Sequence, residues 1–290
     1  MVYAALWIAA LAAAASTAMA QTPQLERGKY LVEGILTCGN CHTPRGPGGV
    51  LDTARRHAGG PQVWDTPEYT VRPSNITPDS ETGIGRWSAE DVKRAIRDGR
   101  RPNGTQTSPQ MPYGFYKIFT PGDLDAVVAY VRSLPAVPAK VAAPVYKVAN
   151  MTLDIPPGAE KPMSSEAMKE PVKRGFYLAT IGHCMECHTP MVNGHRDFKN
   201  SLGSGGERFE GPWGATVARN ITPHKDHGIG AWTDEEVRRA ITHGVRKDGT
   251  KLRPPMGFAW YAGMTDADLN AIVAYLRTIP ARAGGAPSRQ

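Results

Sequence analysis

Apolar side chains recur at helical spacing in several segments of the chain, and each segment has a near-copy further along. The clearest pair begins at Pro121 and at Leu269, where the apolar positions fall on one face of a helix. These positions are Leu124, Val127, Val128, Val131 and Leu134 in the first segment, and Leu269, Ile272, Val273 and Leu276 in the second. The spacing predicts two matching helices whose apolar stripes belong to the core.

Capping and breaker residues predict further helices in each half. One helix is predicted near residues 24–36, and a twin begins after Pro171. Ser88 and Thr233 each stand three residues ahead of an acidic side chain, an arrangement typical of a capping box. Both should open short helices that end before a glycine. Because long stretches without periodicity join these helices, we predict an all-α fold with long loops.

Several short motifs occur twice in the same order. The pairs are Arg27 to Leu31 with Arg174 to Leu178, Asn75 to Pro78 with Asn220 to Pro223, and Gly83 to Trp87 with Gly228 to Trp232. The offset is 147 residues for the first pair and 145 for the other two, so the copies have nearly the same length. Repetition at a fixed offset is typical of a duplicated unit. We predict two tandem domains that arose by duplication, over residues 21–135 and 172–282.

The segments outside the two copies differ in composition. Residues 136–171 are rich in proline, which fixes φ and removes a hydrogen-bond donor, so they predict an extended linker. The tail, residues 283–290, is predicted to be disordered. Residues 1–20 combine an apolar run with an A-x-A end, the pattern of a cleavable signal peptide, although no Lys or Arg precedes the run. An uncleaved anchor therefore stays an open alternative.

The net charge of +7 is spread over both halves of the chain. A nucleic-acid-binding protein would show a dense basic face, so this class of partner is not expected. A mildly basic surface could help docking to an acidic redox partner, and ordinary solubility is the alternative explanation.

All four cysteines lie in two pentapeptides of the form C-x-x-C-H, at Cys38–His42 and Cys184–His188. Thiols one helical turn apart can reach the two vinyl groups of one porphyrin, and the following histidine then lies under the iron. We therefore predict two covalently bound haem c groups. The attachment residues are Cys38, Cys41, Cys184 and Cys187, and His42 and His188 are the predicted iron ligands.

Two other uses of paired cysteines compete with haem attachment. A redox disulfide of the thioredoxin type needs a βαβ context, and neither pair has strand-rich flanks. A structural zinc site needs four ligands from closely paired turns, yet 143 residues separate Cys41 from Cys184. Because histidine follows both pairs, haem is the preferred interpretation.

Met111 and Met256 are the only methionines that coincide at the offset of 145, and each lies in a proline-rich turn. A rigid turn can present a thioether to haem iron, whereas a gap-filling role in the core is the alternative. The histidines outside the two pentapeptides have no matching histidine in the other copy. We predict Met111 and Met256 as the second axial ligands, which leaves no open position for oxygen or peroxide.

The chain resembles the cytochrome c subunits of bacterial membrane-bound dehydrogenases. The features that carry the resemblance are the two pentapeptides, the Asn-Ile-Thr-Pro and Gly-Ile-Gly-x-Trp segments, and the Met-Pro-Tyr turn at Met111. Those enzymes oxidise alcohols, aldehydes and sugar acids. The resemblance covers nearly all of residues 25–280 and implies class I-like cytochrome c domains. It also implies a dehydrogenase catalytic subunit as electron donor, and quinone, another cytochrome or a terminal oxidase as acceptor. By the same resemblance, Cys38, Cys41, His42 and Met111 serve haem one, and Cys184, Cys187, His188 and Met256 serve haem two.

We expect a periplasmic dihaem electron-transfer protein without substrate chemistry of its own, held at the inner membrane through its partner. The alternative is a dihaem redox enzyme of the peroxidase or thiosulfate dehydrogenase type.

Guanidinium and indole N–H groups suit carboxylates, so four side chains are candidates for contacts with the haem propionates. They are Arg72, Trp87, Arg219 and Trp232; the alternative is that the tryptophans are core and the arginines are solvated.

Overall fold

The structure is a computed structural model that describes residues 23–149, 151, 153–211 and 213–284. The predicted signal peptide, residues 1–20, and residues 285–290 of the predicted tail lie outside these ranges. Within the described ranges, no helix has both the length and the apolar character needed to cross a bilayer.

Helices occur in the same order in both halves of the chain. In the first half they are α1, whose described part covers residues 23–32, α2 (Cys38–His42), α3 (Ala89–Asp98) and α4 (Pro121–Ser133). In the second half they are α5 (Pro171–Ile181), α6 (Cys184–Cys187), α7 (Asp234–His243), α8 (Phe258–Tyr261) and α9 (Asp266–Thr278). The predicted capping boxes are confirmed at Ser88 and Thr233, and Gly99 and Gly244 end these helices in the left-handed conformation.

Three small antiparallel sheets lie in the loops between the helices. They consist of β1 (Trp64–Asp65), β2 (Tyr69–Val71) and β3 (Val145–Tyr146) in that order, of β4 (Met191–Val192) with β5 (His195–Arg196), and of β6 (Arg208–Gly211) with β7 (Gly214–Val217). The fold is therefore helix-rich with small sheets, and the prediction of an all-α fold is not confirmed. Strands of two to four residues are too short to show the alternation that would predict them.

Two glycines allow the main helices to cross at close range. A Cβ on Gly28 would lie 2.0 Å from the carbonyl oxygen of Ala126, and one on Gly175 would lie 1.8 Å from that of Ala271. No side chain fits at such distances, so α1 packs directly on α4, and α5 packs on α9. Eight of the nine predicted stripe residues are at most 4% exposed, namely Leu124, Val127, Val128, Val131, Leu269, Ile272, Val273 and Leu276. The ninth, Leu134, follows the end of α4 and is only partly buried.

A buried carboxylate of each half binds a tyrosine of the other half. Asp268 is 1% exposed and accepts hydrogen bonds from the Tyr30 hydroxyl across the interface at 2.6 Å and from Arg174 Nε at 2.5 Å. The same contacts are repeated, with the halves exchanged, by Asp123, Tyr177 and Arg27. Hydrogen bonds to a charged group are stronger than neutral ones. The two halves are therefore joined by a pair of pseudo-symmetric buried clusters.

Candidate haem-attachment sites

The cysteines of both pentapeptides lie on one-turn helices that begin after a left-handed residue. Thr37, with φ of 48°, precedes α2, and His183, with φ of 42°, precedes α6. This turn redirects the chain at the ends of α1 and α5, so that both thiols of a pair lie on one helical turn. All four cysteines are free and partly exposed. The thiols are thus available for attachment to a cofactor.

The environment of the thiols disfavours the two competing interpretations. Burial raises the pKa of Cys38 to about 12 and that of Cys184 to about 11, and it also raises the pKa of Cys187. A redox-active thiol needs a lowered pKa, because the thiolate is the nucleophile. Nowhere in the described part of the chain do three or more His, Cys, Asp or Glu side chains form a group that could hold a metal ion. The two cysteine pairs therefore do not combine into a zinc site.

The two histidines of the pentapeptides are oriented by backbone carbonyl groups. His42 Nδ1 lies 2.7 Å from the Ser74 oxygen, and His188 Nδ1 lies 2.7 Å from the Arg219 oxygen. Because a carbonyl only accepts, Nδ1 carries the proton in both rings and Nε2 keeps its lone pair. Burial lowers the pKa of His42 to about 4 and also lowers that of His188. Both imidazoles are thus neutral at pH 7, the form in which histidine binds iron.

Met111 and Met256 lie in matching turns outside the helices, partly buried against the core. The Tyr113 N–H donates to the Met111 oxygen at 2.7 Å, and the Phe258 N–H donates to the Met256 oxygen at 3.0 Å. The two turns therefore have the same local hydrogen bond after the methionine. Their assignment as axial ligands stays a prediction.

The four candidate propionate residues have different surroundings. Trp87 and Trp232 pack against the core, and Arg72 is exposed. Arg219 is half-buried, and burial together with the charge of Arg246 lowers its pKa. Two neighbouring guanidinium groups favour an anion such as a propionate. Sequence reasoning missed Arg246, although it matches an arginine of the first half at the offset of 145.

Arg72 and Arg219 do not occupy equivalent positions. The carbonyl group of Arg219 orients His188, and in the first half that contact is made by Ser74. At the offset of 145, Arg219 corresponds to Ser74 and Arg72 corresponds to Val217, so the two arginines are out of register. The matching contacts of the Ser74 and Arg219 carbonyl groups with His42 and His188 agree with this alignment.

The residues present fit a covalently bound haem at both pentapeptides. Each offers two free thiols and a neutral, oriented imidazole, and each half contains one of the two matching methionine turns. Among the described residues of the first half, His57 Nδ1 and Gln62 Oε1 are buried side-chain atoms with no hydrogen-bond partner. Such atoms are rare in protein interiors. The His57 ring lies beside the first pentapeptide, since a Cβ on Gly39 would be 3.4 Å from His57 Cε1.

The two pentapeptides lie close together at the interface between the halves. A Cβ on Gly182, two residues before Cys184, would be 2.7 Å from Ile35 Cδ1, so the segments that lead into the two motifs are in contact. Burial, and after it the Glu186 carboxylate of the second pentapeptide, raises the pKa of Cys41 to about 11. The attachment sites are thus neighbours rather than sites at opposite ends of the molecule.

A family model described as cytochrome c matches the chain twice, at residues 25–135 and 172–280. The fructose dehydrogenase cytochrome subunit of Gluconobacter japonicus is 32% identical over 92% of this chain and 54% of its own length. The gluconate 2-dehydrogenase cytochrome c subunit of Pantoea cypripedii is 30% identical over 89% of this chain and 60% of its own. A diheme cytochrome c-type protein of Cereibacter sphaeroides is 28% identical over 84% of this chain and 82% of its own. The chain thus spans between half and two thirds of the first two relatives.

Proposed function

Because the chain belongs to the cytochrome c family and carries two covalently bound haem c groups, we propose that it relays electrons from a dehydrogenase catalytic subunit to the respiratory chain. In this proposal Cys38 and Cys41 hold haem one, and Cys184 and Cys187 hold haem two. The axial ligands are His42 with Met111 and His188 with Met256.

The observation that carries the proposal is the position of the two pentapeptides on either side of one interface. When bound, haem supplies reversible one-electron chemistry. The chain's own part is to anchor two such groups through thioethers, to orient His42 and His188 by carbonyl groups, and to keep the halves in a fixed arrangement. The clusters around Asp123 and Asp268 make that arrangement rigid. A rigid pair of neighbouring sites is suited to passing electrons from one to the other.

The relatives support the choice of donor, since they are cytochrome subunits of fructose and gluconate dehydrogenases. We further propose that residues 1–20 direct export to the periplasm and that the partner holds the protein at the inner membrane. Quinone, another cytochrome or a terminal oxidase would accept the electrons. The domains at residues 21–135 and 172–282, joined by residues 136–171, would have arisen by duplication.

The test is to purify the tagged full chain from membranes of its own organism and to identify the proteins that accompany it. We expect a dehydrogenase catalytic subunit in the complex, and reduction of both haems when the substrate of that subunit is added. A variant with Cys184→Ala and Cys187→Ala should lose one haem mass and transfer electrons poorly. Turnover of peroxide or thiosulfate by the purified chain alone would contradict the relay and favour a dihaem enzyme.

A further inference from the structure

The turns that carry the two methionines differ in how well they are covered. Around Met111, the side chains of Ser108, Pro112 and Tyr113 are buried. Around Met256, the three preceding residues, Arg253 to Pro255, are exposed. The two turns have the same place in their halves, so the difference arises from what packs over them.

The linker between the halves covers the Met111 turn. Strand β3 belongs to the linker and pairs with β2, placing Tyr146 opposite Tyr69. The Tyr69 hydroxyl donates to Gln110 Oε1, next to Met111. The Met151 carbonyl group and the side chains of Leu153 and Ile155 complete the cover, because they contact Gln106 and Gly114 on either side of Met111. The turn is therefore enclosed by a segment that is distant in the sequence.

Gln106 connects the start of the Met111 turn to its end and to the linker. Its Nε2 donates to the Tyr113 hydroxyl at 2.8 Å and to the Met151 oxygen at 3.0 Å. Beyond the turn, a Cβ on Gly114 would lie 2.8 Å from Leu153 Cδ2, so the linker is in direct contact there. Opening the whole turn from Gln106 to Tyr113 would break these hydrogen bonds and uncover the buried side chain of Tyr113.

Among the described residues, the contacts of the Met256 turn are fewer: Gly257 is buried, and a Cβ there would lie 3.0 Å from Thr37 Cγ2, but no hydrogen bond or strand of the kind found around Met111 is present. At the offset of 145, Lys251 replaces Gln106 and Pro255 replaces Gln110, while Gly214, the first residue of β7, replaces Tyr69, the first residue of β2. Within the described ranges, β7 pairs only with β6, and no side-chain hydrogen bond reaches residues 252–257. An exposed turn without side-chain hydrogen bonds opens at a lower free-energy cost than an enclosed one.

We propose that Met256 is a displaceable iron ligand, so that the second domain binds one added small donor ligand such as imidazole, while Met111 stays bound. The inference rests on the proposed axial ligands of the two haems. It goes beyond the relay, because only one of the two irons would bind an added ligand. Each hydrogen bond that must break to free Met111 changes the equilibrium by roughly ten-fold. The imidazole concentration for half-displacement should thus differ between the two domains by about ten-fold or more.

The experiment is a titration of the oxidised full-length protein, with both haems attached, with imidazole. The readout is the thioether-to-iron charge-transfer band at the red end of the ferric spectrum. We expect half of the band to disappear at low imidazole concentration and the other half to persist to at least about ten-fold higher concentration. Met256→Ala should remove the sensitive half before any imidazole is added, and Met111→Ala should remove the resistant half.

A matched pair of variants tests the stated cause. Gln106→Ala should make the resistant half about ten-fold more sensitive, whereas Lys251→Ala, at the equivalent place in the second domain, should leave both halves unchanged. Tyr69→Phe, which removes a single hydroxyl group, provides the same test if Gln106→Ala does not fold. The inference would be overturned if both halves of the charge-transfer band disappeared at the same imidazole concentration, or if the more sensitive half were the one lost in Met111→Ala. Either result would leave the relay intact. Absence of the band from the wild type would instead overturn the axial assignment itself.

Discussion

Replacement of Asp268 by alanine should weaken the contact between the two halves of the molecule. The carboxylate is 1% exposed and holds Arg174 Nε at 2.5 Å and the Tyr30 hydroxyl at 2.6 Å. Removal of one partner from a buried charge pair costs about 3–5 kcal/mol. The Arg174 side chain is 36% exposed and regains some hydration in the variant. We therefore expect a loss of about 3 kcal/mol, at the lower end of that range.

Tyr30→Phe isolates the part of this effect that acts across the interface. It removes one hydrogen bond to a carboxylate, which contributes about 1.5–3 kcal/mol, and leaves the pair of Asp268 and Arg174 in place. Tyr177→Phe is its counterpart in the other cluster and should have a similar or larger effect, because Tyr177 is fully buried. Arg27, which binds Asp123, also lies 5.4 Å from the centre of the Tyr30 ring, so the two sites are in contact and the effect of the double variant should depart from the sum of the single effects.

The assay is thermal unfolding of the holoprotein followed by far-UV circular dichroism. A loss of 1 kcal/mol lowers the melting temperature of a domain of 150–250 residues by about 2–4 °C, so Asp268→Ala should lower it by roughly 6–12 °C. If the halves lose their coupling, the single transition should separate into two. Asp125→Ala is the control, since Asp125 pairs with Lys93 at the surface and should cost about 0–1 kcal/mol. Equal effects of Asp268→Ala and Asp125→Ala would refute the assignment of the cluster as a structural clamp.

Three further outcomes are expected. Gly175→Ala places a Cβ 1.8 Å from a carbonyl oxygen of α9 and should lower the free energy of unfolding by about 3 kcal/mol. The urea midpoint should fall accordingly. An unchanged midpoint would mean that α5 and α9 separate without cost. Burial alone would raise the pKa of Glu33, but the hydrogen bond and charge of His57 outweigh it, and the pKa is lowered from 4.5. The stabilisation by Glu33 is therefore present above pH 4.5 and is lost as the pH falls through the lower pKa of the folded state. In urea unfolding, Glu33→Gln should be less stable than the wild type at pH 7, and the two proteins should be equally stable in strong acid. Met111→Ala and Met256→Ala should each abolish half of the ferric charge-transfer band, and the full band in either variant would exclude that methionine as a ligand.

Local sequence signals predicted the helices well because their causes are local. The capping boxes at Ser88 and Thr233 join residues three apart, and the apolar stripes of α4 and α9 repeat within single helices. The C-x-x-C-H pentapeptides are also local, since the geometry of one helical turn brings the thiols together. The repeated motifs predicted two cytochrome c units, and the family model matches the chain twice.

Contacts between distant segments could not be predicted in this way. Strand β3 lies in the segment predicted as an extended linker, yet it pairs with β2 and covers the Met111 turn. Nor does any sequence pattern place Tyr30 on Asp268, which lies in the other half of the chain.

The sequence by itself determined the helices and the two attachment pentapeptides, because each depends on residues within a few positions of one another, and the repeat at a fixed offset selected Met111 and Met256 as candidate ligands. Only the tertiary structure decided that the pentapeptides are neighbours, that Tyr30 and Tyr177 cross the interface, and that one methionine turn is enclosed while the other is exposed. These features depend on the path of the chain in three dimensions, where burial and long-range hydrogen bonds distinguish two copies that have nearly the same local pattern.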